Sequence, residues 1–138
     1  MDWYLKVLKQ YADFSGRARR KEFWMFMLFH FIIVLLIVFL MIFSTGYLDS
    51  NEEPNFVVLI VLLIYFLGTI VPTLAVTVRR LHDIGKSGTW YFISFIPYIG
   101  SFWLLILNCM DGESKSNKWG QNPKGLGNDI VIDQIGKE

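Results

Sequence analysis

The chain has 138 residues, of which 54% are hydrophobic, 17% aromatic and only 18% charged, with a formal net charge of +1. Soluble domains carry about 25% charged and roughly 45–50% apolar residues, so the balance here is tilted toward a lipid environment. The near-neutral charge removes a bulk electrostatic case for nucleic acid, and the single cysteine, Cys109, excludes an internal disulfide and a cysteine-built zinc site.

Residues 2–14, DWYLKVLKQYADF, place Trp3, Tyr4, Leu5, Val7, Leu8, Tyr11, Ala12 and Phe14 on one helical arc and Asp2, Lys6, Lys9, Gln10 and Asp13 on the other. Aromatics on one face and lysines on the other predict an amphipathic helix that lies in the membrane interface or docks on the protein's own bundle. Ser15-Gly16 ends or bends it. A first span is expected over residues 23–43, free of acidic and basic side chains, with His30 as its one titratable group. It is too long for the apolar region of a cleaved leader and long enough to cross about 30 Å of hydrocarbon. A short loop with Asp49, Glu52 and Glu53 leads to a second span over residues 56–78, where Gly68 and Pro72 predict a kink. After the polar stretch RRLHDIGKSG, a third apolar segment covers residues 89–110 and is expected to cross fully. The alternative is a re-entrant segment turning at PYIG (97–100), whose arms of about ten residues are short for a crossing. The unit is therefore expected to be a single membrane domain over 1–124, followed by a flexible polar tail over 125–138 with a small apolar patch at Ile130 to Ile132.

Lysine and arginine placement predicts orientation. Lys6, Lys9, Arg17, Arg19, Arg20 and Lys21 precede the first span, the first loop has none, and Arg79, Arg80 and Lys86 follow the second. The positive-inside rule puts the N-terminus and second loop in the cytoplasm and the acidic first loop outside.

Three polar clusters carry whatever chemistry there is: FSGRARRKEFW (14–24), RRLHDIGKSGTWY (79–91) and SNKWGQNPK (116–124). Arg17, Arg19, Arg20, Arg79 and Arg80, with His82, form a candidate site for a phosphate or an anionic lipid headgroup, since each guanidinium offers a fork of donors. The plainer reading is that these cations only set topology. Glu22 and Asp83 are candidates for inter-helix ion pairs with the arginines. Short connections make spans one and two an antiparallel pair, so both motifs emerge at one end. His82 beside Asp83 has the ingredients of proton transfer near neutral pH. GKSG at 85–88 lacks the spacing of a phosphate-binding loop, because Arg80 stands where the earlier glycine is needed. No metal set, no cofactor motif and no catalytic spacing is present in the sequence.

Taken together, MDWYLKVLKQY, FSGRARRKEFW, RRLHDIGKSGTWY, IPYIG and NKWGQNP resemble the domain-of-unknown-function 805 family of small bacterial inner-membrane proteins, over roughly residues 1–124. Gln121 stands where that pattern has a proline. The resemblance implies a polytopic protein of the bacterial cytoplasmic membrane and implies no activity, substrate or cofactor. The expectation is an all-α integral membrane protein with three transmembrane helices, a kinked or re-entrant third segment being the alternative, and an amphipathic N-terminal interfacial helix. Its expected role is non-enzymatic: binding anionic phospholipid or a membrane-protein partner through the arginine clusters. An enzyme acting on lipid headgroups or phosphate through His82 and Asp83, and an oligomeric transporter or channel subunit, are the alternatives.

Overall fold

The computed structural model describes residues 2–44 and 56–125. The acidic first loop and the tail beyond residue 125, including the Ile130 to Ile132 patch, lie outside the described residues. Among the described residues every extended element is helical: α1 (Asp2–Lys9), α2 (Arg20–Ser44), α3 (Phe56–Asp83), a 3-10 helix (Gly88–Phe95) and α4 (Ile99–Cys109).

Helices α2 and α3 have 25 and 28 residues. At about 1.5 Å per residue each exceeds the ~30 Å of a hydrocarbon core. Their apolar side chains are turned outward: Phe39 and Phe43 of α2 are 63% and 80% exposed, and Ile64 of α3 is 64% exposed. A soluble helix would bury such residues, whereas lipid is the environment that covers them at no cost. Helix α3 continues through Pro72 without a break. Proline has no N–H, so the carbonyl four residues earlier, Gly68, loses its helical donor. The Tyr11 hydroxyl donates to that carbonyl at 2.8 Å, so a side chain supplies the bond the proline removes.

Helix α1 is shorter than the amphipathic pattern and ends at Lys9. Beyond it, the Asp13 carboxylate accepts from the Ser15 amide at 2.9 Å and Gly16 takes φ +76°, which turns the chain back. The helix docks on the bundle. Val7 is fully buried with Ala18, Phe23, Phe26 and Val76, and the Tyr4 ring stacks on Phe26 at 5.4 Å. Leu5 stays half exposed, so part of the apolar arc still faces outward. Between the long helices, His30 Nδ1 lies 3.0 Å from the Tyr65 hydroxyl, which pairs a polar group of each helix inside an apolar interface.

The third apolar segment does not form one helix long enough to cross, so two of the three expected spans are long helices among the described residues. It is broken into the 3-10 helix and α4, with Tyr98 at φ +67° between them. The two pieces fold onto each other as a hairpin. At Gly100 an added methyl group would collide with the Ile93 carbonyl, so only glycine allows the approach. Both ends of the hairpin meet at the end of α3: Leu107 packs with Leu81 and Ile84, and the Glu113 amide donates to the Asp83 carbonyl at 2.8 Å. The segment therefore starts and finishes at the same end of the helix pair.

Candidate functional site

The two arginine motifs and the tail converge where α2 begins and α3 ends. The Ala18 amide donates to the Arg79 carbonyl at 3.0 Å, which joins the segment before α2 to the last turn of α3. Asp83 sits between two guanidinium groups, with Arg17 Nε at 3.0 Å and Arg80 Nη1 at 2.5 Å. All three side chains are almost fully buried. Glu22 is fully buried; Lys6 Nζ reaches it at 2.8 Å from α1, and Arg79 Nη1 faces it at 3.7 Å. Arg79 Nη1 also donates to Gln10 Oε1. Among the described residues, Arg79 Nε and Nη2 and Glu22 Oε1 have no hydrogen-bond partner. Charges this deep are held by mutual pairing, because an isolated one would cost several kcal/mol to desolvate.

The same guanidinium groups close helix ends. The last carbonyls of an α-helix have no internal donor, and the dipole there favours a cation. Arg80 Nε donates to the Asn108 carbonyl at 3.2 Å and its Nη2 to Met110, while Arg20 Nη1 donates to the Cys109 carbonyl at 2.8 Å. Arginines from the other elements thus terminate α4. Arg17 holds the tail, donating to the carbonyls of Glu113 at 2.5 Å and Lys115 at 2.7 Å.

The tail forms a cover over this cluster. The Trp119 ring stacks on His82 with centroids 4.5 Å apart and planes 11° apart. Asn117 Nδ2 donates to the His82 carbonyl at 2.9 Å, and buried Asn122 donates to the Ser114 carbonyl at 2.8 Å. Gly112 passes so close to the Asp83 carboxylate that any side chain there would strike it. His82 Nδ1 lies 3.2 Å from the Gly16 carbonyl. His82 and Asp83 therefore have separate partners, although they are neighbours in sequence. At the periphery, hydrogen bonds from Ser15 hold the Asp13 carboxyl below the usual carboxylate range.

Of the six residues expected to meet a phosphate, Arg17, Arg79, Arg80 and His82 are buried and engaged within the protein. Arg19 is half-buried, and Arg20 is exposed and pairs with exposed Asp111 at 2.8 Å. Lys21 is exposed beside it. Residues that sequence reasoning did not assign to the cluster include Lys6, Gln10, Asn117 and Trp119. In the amphipathic pattern Lys6 and Gln10 fall on the polar face of the N-terminal segment. The tail's N-x-W-G pattern belongs to the third polar cluster, and nothing in its sequence marks the packing of Trp119 on His82. Among the described residues, no three histidine, cysteine, aspartate or glutamate side chains gather to hold a metal ion.

The family described as a protein of unknown function, DUF805, matches residues 11–121. The chain is 44% identical over 124 residues to the inner membrane protein YhaI of Escherichia coli K12, covering 90% of this chain and 97% of that one. It is 41% identical to the inner membrane protein YhaH of the same organism, covering 90% and 98%. No solved structure matches it. The motifs FSGRARRKE and RRLHD lie within the matched region, and the outward apolar helices agree with the location in the relatives' names. The chain belongs to the DUF805 family and is an inner-membrane protein.

Proposed function

We propose that the protein is a non-enzymatic membrane component that crosses the bilayer with α2 and α3, dips the hairpin of residues 88–109 into the cytoplasmic leaflet, and engages anionic lipid headgroups with the rim around its buried arginine cluster. The observation that carries this reading is charge asymmetry. Twelve lysines and arginines stand against six acidic residues in the described segments, and all belong to the end where α1, the RRLHD turn and the tail meet. The first loop, by contrast, has three carboxylates and no lysine or arginine. A cationic rim at a membrane surface attracts anionic headgroups by about 1 kcal/mol per lysine or arginine.

The buried arginines are better explained as structural. Arg17, Arg79 and Arg80 satisfy carboxylates and helix ends, and the surplus charge that a headgroup meets lies on Arg19, Lys21, Lys86, Lys115, Lys118 and Lys124. The enzyme alternative loses support because Asp83 is committed to Arg17 and Arg80. The test is the composition of lipid retained on gentle detergent extraction. Enrichment of anionic lipid over the bulk membrane, reduced at high salt, is the expected outcome. A retained fraction matching the bulk would sink the proposal.

A further inference from the structure

The buried cluster leaves Arg20 and Lys21 on the outside, and beside them runs an apolar groove. It has a volume of about 570 Å³ and lies between α2 and α4, walled by Phe23, Met27, Phe31 and Val34 on one side and Leu104 and Leu105 on the other. From Phe23 to Val34 is eleven residues of α2. At ~1.5 Å per residue that is roughly 16 Å, about half of a ~30 Å hydrocarbon core and so the depth of one leaflet. Trp24 lines this groove and also a neighbouring basin of about 430 Å³ formed with Arg20, Lys21, Met25 and Cys109. The basic basin and the apolar groove are thus consecutive along α2.

A second observation comes from Asn108. It is only 3% exposed, it lines the groove, and its Oδ1 has no hydrogen-bond partner among the described residues. It sits one residue from Cys109, whose carbonyl accepts from Arg20 at 2.8 Å. A buried acceptor left unpaired is costly, and an amide oxygen is satisfied only by a donor. A hydrogen-bond acceptor left open between a basic basin and an apolar groove calls for a donor at that depth, which the hydroxyls of a glycerol headgroup supply beside the phosphate.

We infer that this groove holds one acyl chain of an anionic phospholipid of the cytoplasmic leaflet, with its phosphate against Lys21 beside Arg20 and a headgroup hydroxyl donating to Asn108 Oδ1. The inference rests on the reading that the basic end faces the cytoplasm and engages anionic lipid, and it names the site. The occupant is a lipid because the groove is open along exposed Leu105 and Phe31, which a bilayer bathes in acyl chains, and because its basic mouth complements a phosphate.

The test uses the full chain in nanodiscs of phosphatidylglycerol mixed with phosphatidylcholine, read by native mass spectrometry after gentle release. Ser101→Phe and Leu105→Trp fill the groove from exposed positions, and Lys21→Gln removes charge at its mouth. Wild-type protein is expected to retain phosphatidylglycerol in preference to phosphatidylcholine. Each filling variant is expected to lose most of that retained lipid, with an unchanged unfolding midpoint. Lys21→Gln should weaken retention about fivefold. If either filling variant folds and retains wild-type amounts while Lys21→Gln still weakens binding, the groove assignment falls and the rim reading stands. If wild-type protein shows no preference for phosphatidylglycerol, both fall. Displacement of the lipid by an equal concentration of free glycerophosphate would overturn the acyl-chain site, as would a dimer that Ser101→Phe converts to monomer.

Discussion

Burial decides which charged residue matters. Asp83 and Asp111 each pair with arginine, yet their surroundings differ. Asp83 is 6% exposed by side chain and serves both Arg17 and Arg80, whereas Asp111 is 72% exposed and pairs with a 43% exposed Arg20. Removing the charge of Asp83 strands two buried guanidinium groups, so Asp83→Asn should destabilise the protein by about 3–5 kcal/mol. Asp111→Asn should cost about 0–1 kcal/mol, because water already screens that pair. Denaturation in detergent measures both, and equal losses would contradict the assignment. Tyr11 makes a finer point. Tyr11→Phe keeps the ring and removes the donor to the Gly68 carbonyl that Pro72 leaves free. The expected loss is about 1 kcal/mol. In a Tyr11→Phe background, Pro72→Ala should recover part of it, since alanine restores the helical N–H. Absence of recovery would show that the tyrosine acts otherwise.

At the scale of elements, the long apolar runs were legible because nothing but a membrane helix accommodates them. The hairpin was legible only as the alternative. Residues 89–110 are numerous enough to cross, and a turn at PYIG fits a kinked span as well as a re-entrant one. What separates the two outcomes is tertiary: the Gly100 backbone lies against the Ile93 carbonyl, and Tyr98, a residue that sequence rules do not place at positive φ, takes φ +67°. The docking of α1 was legible as one of two compatible uses of the same amphipathic pattern: Val7 packs in the bundle while Leu5 stays half exposed. The hairpin contact is testable. Gly100→Val drives a side chain into a backbone carbonyl that cannot rotate away, and should cost about 1–3 kcal/mol of stability. Gly68→Ala is the matched comparison, because a methyl group there meets nothing within 4 Å. It should be neutral or stabilising by up to about 1 kcal/mol. A thermal melt in which both glycines behave alike would remove the packing explanation.

For the molecule as a whole, the candidate site was half legible. Clustered arginines beside Glu22 and Asp83 pointed to one charged end, but their inward direction was hidden. Their partners include backbone carbonyls at the ends of α4 and in the tail, which leave no mark in a sequence. That convergence has a consequence for topology. The Glu113 amide is bonded to the Asp83 carbonyl, and Arg17 spans from Asp83 to the Lys115 carbonyl. A segment tied this way cannot have its two ends on opposite faces of a bilayer ~30 Å thick. Residues 87 and 116 should therefore lie on the same side. In a Cys109→Ser background, Ser87→Cys and Ser116→Cys should both resist a membrane-impermeant maleimide in intact cells, and Ser116→Cys should react in inverted vesicles. Ser87 is partly buried and bonded to Thr89 at 2.6 Å, so its labelling in vesicles should be slower than that of exposed Ser116. Reaction of Ser116→Cys from outside intact cells, with Ser87→Cys still protected, would mean that the third segment crosses. It would also mean that the Asp83–Glu113 contact does not exist in the membrane.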